Sequence, residues 1–266
     1  MSAIFIKERT LPAAWEQAVN HCWWQGDQIA TQYDKPGDPP SRDCAAMIIV
    51  TEPLAEPRIH RCFPAGLEDL WVYREEVVNG IHDHWINPSE GKWSYTYHQR
   101  FTAYPCPIGA PRDQLAQCIE QLVEAPHTRR AQAITWIPWT DQFNEHAPCV
   151  QRLWFRVFDD RLHMHLHIRS NDAFKAGFMN MFAMVELQAG IAARLSERLG
   201  RPIGVGEYCH FADSWHIYGS YFEQFKGFLH TIPQRSWEER TWRSDDEVVV
   251  SAFEDARKKI EAEAKP

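Results

Sequence analysis

Hydrophobic and polar side chains alternate on both sides of a short acidic turn in the second half of the chain. Apolar residues occupy every second position from Leu153 to Val157, and again from Leu162 to Ile168. A period of two is typical of a half-buried β-strand. Asp159 and Asp160 separate the two runs and favour a tight turn. The pattern therefore predicts a β-hairpin.

Other stretches of the chain have helical or irregular patterns. Apolar residues at helical spacing predict helices over Leu11–Trp24, Gly66–Gly80, Pro111–Glu124 and Asp172–Leu199, the last of which Gly200 is expected to end, and two charged helical segments within Glu238–Pro266. Further strands are expected over Ala45–Val50, over Gln132–Ile137 and within Gly206–Phe225. Tyr33–Arg42 is expected to be a loop and Ile81–Pro105 an irregular aromatic stretch. We find no linker between domains, so residues 1–266 are interpreted as a single domain.

Composition and charge narrow the possible partners. The chain has 266 residues, 44% of them hydrophobic, which is enough for one sizeable core. The net charge is −8, and no run of lysine or arginine is long enough to indicate nucleic-acid binding, so nucleic acid is not expected as a partner. No apolar run is long enough to cross a membrane, and the first residues do not resemble a signal peptide. We therefore expect a cytoplasmic protein that does not interact with membranes.

One of the seven cysteines lies where the predicted hairpin could activate it. Cys149 follows Pro148 at the start of the first strand, while Arg169 and Ser170 end the second strand. A hairpin returns the chain to its starting level, which can put Arg169 beside the Cys149 sulfur. A nearby guanidinium favours the nucleophilic thiolate. The alternative from spacing alone is that Cys149 is a small, buried, inert residue.

Several separated motifs occur together in this chain, in a fixed order. They are Arg129-Arg130, Trp136-Ile137-Pro138, Pro148-Cys149, Arg169-Ser170-Asn171-Asp172, Asn180, Gly206-Glu207-Tyr208 and His216-Ile217-Tyr218. Together they closely resemble the thymidylate synthase family. The resemblance covers about the last two thirds of the chain well and the first fifty residues poorly. It implies an α+β fold with a mixed twisted sheet and flanking helices, paired through the sheet into a homodimer with shared active sites.

The resemblance also implies a role for individual residues. Cys149 would add to C6 of a pyrimidine nucleotide, with Arg169 lowering the pKa of the thiol. Glu68 and Tyr97 would handle protons at the base; without the resemblance, an exposed acid in a first helical turn is the preferred interpretation of Glu68. The substrate-binding set would be Arg42, Arg129, Arg130, Ser170, Asn180, His216, Tyr218 and Ala176. The cofactor would be 5,10-methylenetetrahydrofolate, contacted by Asp172 and Trp85.

Two outcomes are chemically open after the one-carbon unit reaches C5. Reduction by hydride gives a methyl group, whereas addition of water gives a hydroxymethyl group. The charged tail, in place of the apolar tail typical of the synthases, favours a wetter site and hence a hydroxymethylase. The chain most resembles the CMP 5-hydroxymethylase branch of the family, found in mildiomycin-type nucleoside antibiotic biosynthesis. Small residues at Ala176 and Gly177 could leave room for a ribose 2′-hydroxyl.

Alternatives to CMP hydroxymethylation remain. Asn180 can pair with uracil or, with its amide flipped, with cytosine, so methylation of dUMP and hydroxymethylation of dCMP stay open. His163, His165 and His167 alternate along one strand and could hold a divalent metal. No nearby carboxylate or histidine completes a known metal motif, and a partly wet strand face explains the spacing equally well. We therefore predict no metal site.

Overall fold

The computed structural model describes residues 1–263; the last three residues of the predicted charged tail lie outside that range. The strands are β1 (Ala3–Glu8), β2 (Asp27–Ile29), β3 (Ser41–Val50), β4 (Ile59–His60), β5 (Gln132–Ile134), β6 (Val150–Phe158), β7 (Arg161–Ile168), β8 (Asn171–Asp172), β9 (Gly204–Ile217) and β10 (Thr241–Trp242). The helices are α1 (Leu11–Gln25), α2 (Leu67–Asn79), α3 (Tyr97–Thr102), α4 (Gln114–Glu124), α5 (Pro138–Asp141), α6 (Gly177–Leu199), α7 (Phe222–Thr231), α8 (Trp237–Arg240) and α9 (Glu247–Glu263).

A mixed β-sheet organises the molecule. Its strand order is β1-β3-β9-β7-β6-β5, with β2 added to β3 and β8 added to β9. β1 runs parallel to β3 and β7 parallel to β9, whereas the β3–β9, β6–β7 and β5–β6 pairs are antiparallel. β10 and β4 form a separate small pair. The predicted α+β class with a mixed sheet and flanking helices is confirmed.

The predicted hairpin is present as β6 and β7. Asp159 and Asp160 have φ angles of 48° and 52°, the left-handed conformation that a two-residue hairpin turn of type I′ needs at both positions. On β7 the apolar side chains Leu162, Met164, Leu166 and Ile168 are fully buried, and the residues between them are only partly covered. The alternation therefore separates a core face from a more open face.

Helices α1 and α6 cover the core face of the sheet. α6 contributes buried Phe178, Met181 and Phe182, and it ends at Gly200 in the left-handed conformation that the sequence pattern predicts. Trp15 of α1 is fully buried, and its indole nitrogen donates a hydrogen bond to the Ala173 carbonyl at 2.8 Å. This bond ties α1 to the chain just before α6, where several predicted site residues lie.

Some element boundaries differ from the sequence prediction. β3 begins at Ser41, inside the predicted loop, because Arg42 and Asp43 already pair with β9 and β2. The long helix begins at Gly177 and not at Asp172, since Asp172 pairs with β9 as part of β8. The stretch interpreted as irregular contains helix α3, which Thr96 caps by accepting a hydrogen bond from the Gln99 backbone nitrogen at 3.0 Å.

Strand β9 carries a β-bulge against β3. Cys44 pairs with Trp215 and Ala46 pairs with Ala212, so two residues of β9, Asp213 and Ser214, oppose one residue of β3. A bulge of this kind redirects the side chains beyond it and is common near active sites. No helix among residues 1–263 is long and apolar enough to cross a membrane.

Candidate active site

Cys149 and Arg169 lie together at the open end of the hairpin. The Arg169 backbone nitrogen donates a hydrogen bond to the Cys149 carbonyl at 2.9 Å. The guanidinium is held by the chain before the cysteine: Nε donates to the Pro148 carbonyl at 3.1 Å and Nη2 to the Ala147 carbonyl at 2.7 Å. The hairpin thus brings the charge of Arg169 to the half-buried thiol.

Burial, not Arg169, dominates the acidity of this thiol. Desolvation raises the pKa of the Cys149 thiol above its ordinary value, and the Arg169 charge only partly offsets the rise. The sequence interpretation expected Arg169 to produce a lowered pKa. The direction of the Arg169 effect agrees with that expectation, but the net shift is the opposite because the sulfur is partly withdrawn from water.

Three tyrosines lie close to the cysteine. The Tyr97 hydroxyl accepts a hydrogen bond from the Val150 backbone nitrogen at 3.3 Å, which puts it beside the residue that follows Cys149. Burial raises the pKa of Tyr95 to about 12 and raises the pKa values of Tyr73 and Tyr97 well above 10, with the Cys149 charge adding to each rise. All three phenols are therefore protonated donors at neutral pH.

Asn180 is engaged by one of these phenols. Its side chain is almost fully buried on the first turns of α6, and its Oδ1 accepts a hydrogen bond from the Tyr73 hydroxyl. A buried amide needs partners for its polar atoms. Tyr73 satisfies Oδ1 and leaves the Nδ2 donor for a ligand.

The two ends of α2 carry glutamates in opposite environments. Glu68, predicted as catalytic, lies in the first turn with 45% of its side chain exposed, and it forms an ion pair with Lys259 of α9. Two turns later, Glu76 accepts a hydrogen bond from His82 Nδ1 at 3.0 Å, and burial raises the pKa of its carboxyl. The structure therefore separates Glu68 from the tyrosine group and puts Glu76 beside it.

A cavity of about 440 Å³ lies next to Glu76. Its lining is about half polar and half apolar and includes Lys92, Trp93, Ser94, Tyr95, Thr96, Tyr97 and His146. Trp85 stacks on His82, with ring centroids 3.7 Å apart, and meets Trp93 edge-on at 5.2 Å. The predicted aromatic contact Trp85 is thus part of a cluster at one side of this cavity, and 39% of it remains exposed.

Asp172 and His216 are neighbours across β8 and β9. They are partners in the strand register, and the Ala173 backbone nitrogen donates to the His216 carbonyl at 2.7 Å. Asp172 Oδ1 accepts from the Phe174 and Lys175 backbone nitrogens, while burial raises the pKa of this carboxyl to about 6. Tyr218 lies edge-on to the His216 ring, with centroids 4.6 Å apart.

The other predicted phosphate contacts are spread over several elements. Arg129 and Arg130 are exposed in the loop before β5, where Trp154 Nε1 donates to the Arg129 carbonyl at 3.0 Å. Ser170 directly follows Arg169 and is partly exposed. Arg42 instead contacts the end of α1: Nη1 donates to the Gly26 carbonyl at 3.2 Å.

Ala176 and Gly177 were interpreted as leaving room for a ribose hydroxyl. Ala176 caps α6 through its carbonyl, which accepts from the Asn180 backbone nitrogen at 2.9 Å, and it is partly exposed. A Cβ on Gly177 would lie 2.5 Å from the Trp215 ring. The space beside Gly177 is therefore taken by Trp215, which corrects that part of the interpretation.

The three histidines of β7 lie on a partly exposed strand face, as the alternative without a metal predicts. His163, His165 and His167 are partly covered, and His167 Nε2 lies 3.0 Å from Asp213 Oδ2. Burial lowers the pKa values of His163 and His165. Within the described part of the chain, no group of three or more His, Cys, Asp or Glu side chains is arranged to hold a metal ion.

The sequence interpretation missed Tyr73 and Glu76. These residues are three positions apart on α2, a spacing that puts both on the same helix face. Their shared helix face was the available signal, and the motif resemblance directed attention to Glu68 instead. Asp43 and Ser214 were also missed, since their proximity depends on the bulge in β9.

Comparison with known proteins gives a consistent result. The sequence profile of the thymidylate synthase family matches residues 65–255. A protein of Methanocaldococcus jannaschii, named as a candidate thymidylate synthase, is 27% identical over 219 residues, which covers 80% of this chain and 90% of the relative. A protein of Methanopyrus kandleri with the same name is 28% identical over 192 residues, covering 72% of this chain and 84% of the relative. The chain therefore belongs to the thymidylate synthase family of one-carbon transferases.

Proposed function

We propose that this enzyme adds a one-carbon unit from 5,10-methylenetetrahydrofolate to C5 of a pyrimidine nucleoside monophosphate and leaves it as a hydroxymethyl group, with CMP as substrate. The observation that carries the proposal is the half-buried Cys149 thiol, which lies beside the Arg169 charge and a group of protonated tyrosines. That arrangement suits covalent addition to an electron-poor ring carbon.

Cys149 is the proposed nucleophile. Its sulfur forms a bond to C6 of the base, the C5–C6 double bond opens, and C5 becomes electron-rich. Burial opposes the thiolate form, so the nearby Arg169 charge is needed to favour it. When bound, the folate supplies the one-carbon unit at C5.

Glu76 is the proposed proton-handling carboxyl, in place of Glu68. Its raised pKa keeps a proton available nearer neutral pH, which is the range a general acid requires. The Tyr97 hydroxyl belongs to another residue that lines the same cavity, and it is a second donor toward the base.

Asn180 is proposed to read the base. Because Tyr73 donates to Oδ1, the Nδ2 donor is available for N3 of cytosine, and the second lone pair of Oδ1 can accept from the cytosine amino group. His216 and Tyr218 would contact the sugar, and Ala176 would lie near it.

Arginines are proposed to bind the phosphate. Arg169 and Ser170 lie beside the nucleophile, and the exposed Arg129 and Arg130 would reach the phosphate of a partner subunit in a homodimer paired through the sheet. Arg42 would join them only if it leaves its contact with Gly26. Sedimentation of the purified protein tests this arrangement: a dimer is expected, and a monomer would contradict shared sites.

Asp172 and Trp85 offer the groups that a folate needs. A pterin ring requires an acidic partner for its amino and amide hydrogens and aromatic faces for stacking. Asp172 offers a partly buried carboxyl whose Oδ1 already accepts from the backbone, which leaves Oδ2 for a ligand. Trp85 offers a partly exposed ring supported by His82.

Polar side chains in the cavity lining favour hydroxymethylation over methylation. Lys92, Ser94, Thr96 and His146 can hold water close to the tyrosines, and water is the reactant that turns an exocyclic methylene into a hydroxymethyl group. Methylation of dUMP is the second candidate, because the relatives from Methanocaldococcus jannaschii and Methanopyrus kandleri are named as candidate thymidylate synthases.

Product mass separates these candidates. The enzyme is incubated with methylenetetrahydrofolate and, in turn, CMP, dCMP and dUMP. We expect CMP to gain the mass of CH₂O. A gain of CH₂ on dUMP with dihydrofolate formed would establish the second candidate and contradict the first. No mass change on any nucleotide would contradict both.

A further inference from the structure

Three polar side chains form a row where β3 begins and β9 ends. Asp43 pairs with His216 in the strand register, and the bulge at residues 213–214 turns Ser214 toward both of them. The Ser214 hydroxyl lies 2.8 Å from Asp43 Oδ2 and 3.0 Å from His216 Nδ1. Asp43 is 8% exposed and His216 is 5% exposed, so the row is shielded from bulk water.

The directions of these hydrogen bonds follow from the donors available. A carboxylate can only accept, so Ser214 donates its single hydrogen to Asp43. The Ser214 oxygen can then only accept from His216, which requires the imidazole hydrogen to be on Nδ1. Burial lowers the pKa of His216 to about 4, so the ring is neutral at pH 7 and its Nε2 is an acceptor.

Two acceptors in this row lack partners. Among residues 1–263, neither Asp43 Oδ1 nor His216 Nε2 has a hydrogen-bond partner, although both atoms are buried. Buried polar atoms are normally paired, because a buried acceptor without a partner has lost its hydrogen bonds to water. An acceptor left open in this way calls for a hydroxyl or amino donor from a ligand.

The row lies next to residues of the proposed active site. His216 neighbours Asp172 across β8 and β9, and its ring contacts Tyr218. Burial raises the pKa of Tyr218 to about 12, and the charges of Asp172 and Cys149 add to the rise, so Tyr218 lies near both residues. A nucleotide bound at Cys149 would extend its sugar toward this end of the sheet.

We propose that Asp43 is a positioning residue that acts through Ser214: it fixes the hydrogen of His216 on Nδ1, so that Nε2 accepts a hydrogen bond from a sugar hydroxyl. The inference rests on the proposed binding of a nucleoside monophosphate. It adds two residues, Asp43 and Ser214, that make the site selective for a sugar bearing that hydroxyl. Neither residue touches the reacting atoms.

Nucleotide binding tests the inference without turnover. Calorimetry gives dissociation constants for CMP, 2′-deoxy-CMP and 3′-deoxy-CMP. We expect the wild-type enzyme to bind CMP about tenfold more tightly than at least one deoxy analogue, the discrimination that one net hydrogen bond provides. Ser214→Ala and Asp43→Leu should reduce this ratio to about twofold or less, by weakening CMP. Ser214→Thr keeps the hydroxyl and should retain the ratio.

Asp213→Ala is the matched control. Asp213 is the other bulge residue, but its carboxyl contacts His167, so the ratio should stay at the wild-type value. If Ser214→Ala and Asp43→Leu keep the wild-type ratio, the inference is overturned while the proposed function stands. A wild-type enzyme that binds none of the three nucleotides would overturn the proposed function and the inference together.

Nitrogen-15 spectra of the histidines give a second measurement, which does not depend on binding. In the wild type we expect the His216 signals, identified by their loss in His216→Gln, to have the pattern of a ring protonated on Nδ1. Ser214→Ala should lose this pattern and Ser214→Thr should retain it. The pattern of a ring protonated on Nε2 in the wild type would contradict the inference even if every variant folds.

Discussion

The β6–β7 hairpin and helix α2 both supply residues to the candidate site, but the chain specifies them differently. In the hairpin, local geometry suffices: two strands and a two-residue turn return Arg169 to the level of Cys149. In α2, two glutamates occupy the same helix, and tertiary packing alone decides that Glu68 meets solvent and Lys259 while Glu76 is buried near the tyrosines. The sequence therefore predicts a contact that local structure determines, such as that of Cys149 with Arg169. It does not predict which of two glutamates tertiary packing buries.

The largest expected effect lies in the hairpin. Cys149→Ser should reduce turnover on the order of 10⁴-fold or more, because a serine hydroxyl is a far weaker nucleophile than a thiolate in this setting. Nucleotide binding should persist, as calorimetry would detect. Cys106→Ser, at a half-buried cysteine between α3 and α4, is the control and should keep full activity. Retained turnover in Cys149→Ser would remove the covalent mechanism.

The two glutamates of α2 test the other side of the comparison. Glu76→Gln should lower kcat roughly 10²- to 10⁴-fold, the usual contribution of a positioned general acid or base. Glu68→Gln should change kcat by about twofold or less, since exposed ion pairs such as that with Lys259 contribute little. Steady-state kinetics on both variants decides the assignment, and a larger loss in Glu68→Gln would reverse it.

Burial shifts the pKa of His216, as it does that of Glu76, and a shifted pKa makes the stability of the folded protein depend on pH. Its pKa is about 4 in the folded protein against an ordinary 6.5, so its contribution is fully present above pH 6.5 and is lost as pH falls toward 4. The raised pKa values of Asp172 and Glu76 act in the opposite direction. The effect of His216 alone is therefore measured as the difference in free energy of unfolding between the wild type and a variant that lacks this histidine.

Urea unfolding of the wild type and of His216→Gln supplies that difference. The free energy of unfolding of the wild type minus that of the variant should fall by about 3 kcal/mol between pH 7 and pH 4, at 1.36 kcal/mol per unit of pKa shift. A difference that stays constant with pH would mean that His216 is not held neutral by burial.

The smallest effect concerns the contact between α2 and α6. Tyr73→Phe removes the hydroxyl that donates to Asn180 Oδ1 and should lower kcat/KM about tenfold, the effect of one lost hydrogen bond at a binding group. Tyr104→Phe is the control, because the Tyr104 hydroxyl donates to the Trp136 carbonyl, outside the tyrosine group. Equal losses in the two variants would indicate a general effect on folding.

The difference between features set by local structure and features set by tertiary packing explains how much of the fold and the site the sequence predicted. The hairpin, the Gly200 helix end and the meeting of Cys149 with Arg169 follow from periodicity and turn chemistry within a short stretch. Strand β1 was not predicted, because it is short and its pairing with β3 involves residues about forty positions away. The Asp43–Ser214 contact depends on a bulge, and the pattern of hydrophobic and polar residues did not predict an extra residue in the strand.

The central claim is that the Cys149 sulfur bonds to the pyrimidine ring, and trapping that bond tests it most directly. A 5-fluoropyrimidine nucleotide suits this purpose. The hydrogen at C5 of the natural substrate is lost as a proton, whereas a fluorine at C5 cannot be lost as a cation, so release of the product is blocked. After incubation with 5-fluoro-CMP or 5-fluoro-dUMP and methylenetetrahydrofolate, intact-protein mass spectrometry should show the added mass of the nucleotide, and peptide mass spectrometry after proteolysis should locate it on the peptide that contains Cys149. Turnover of the natural nucleotide without any such adduct, or an adduct on a different cysteine, would contradict the account.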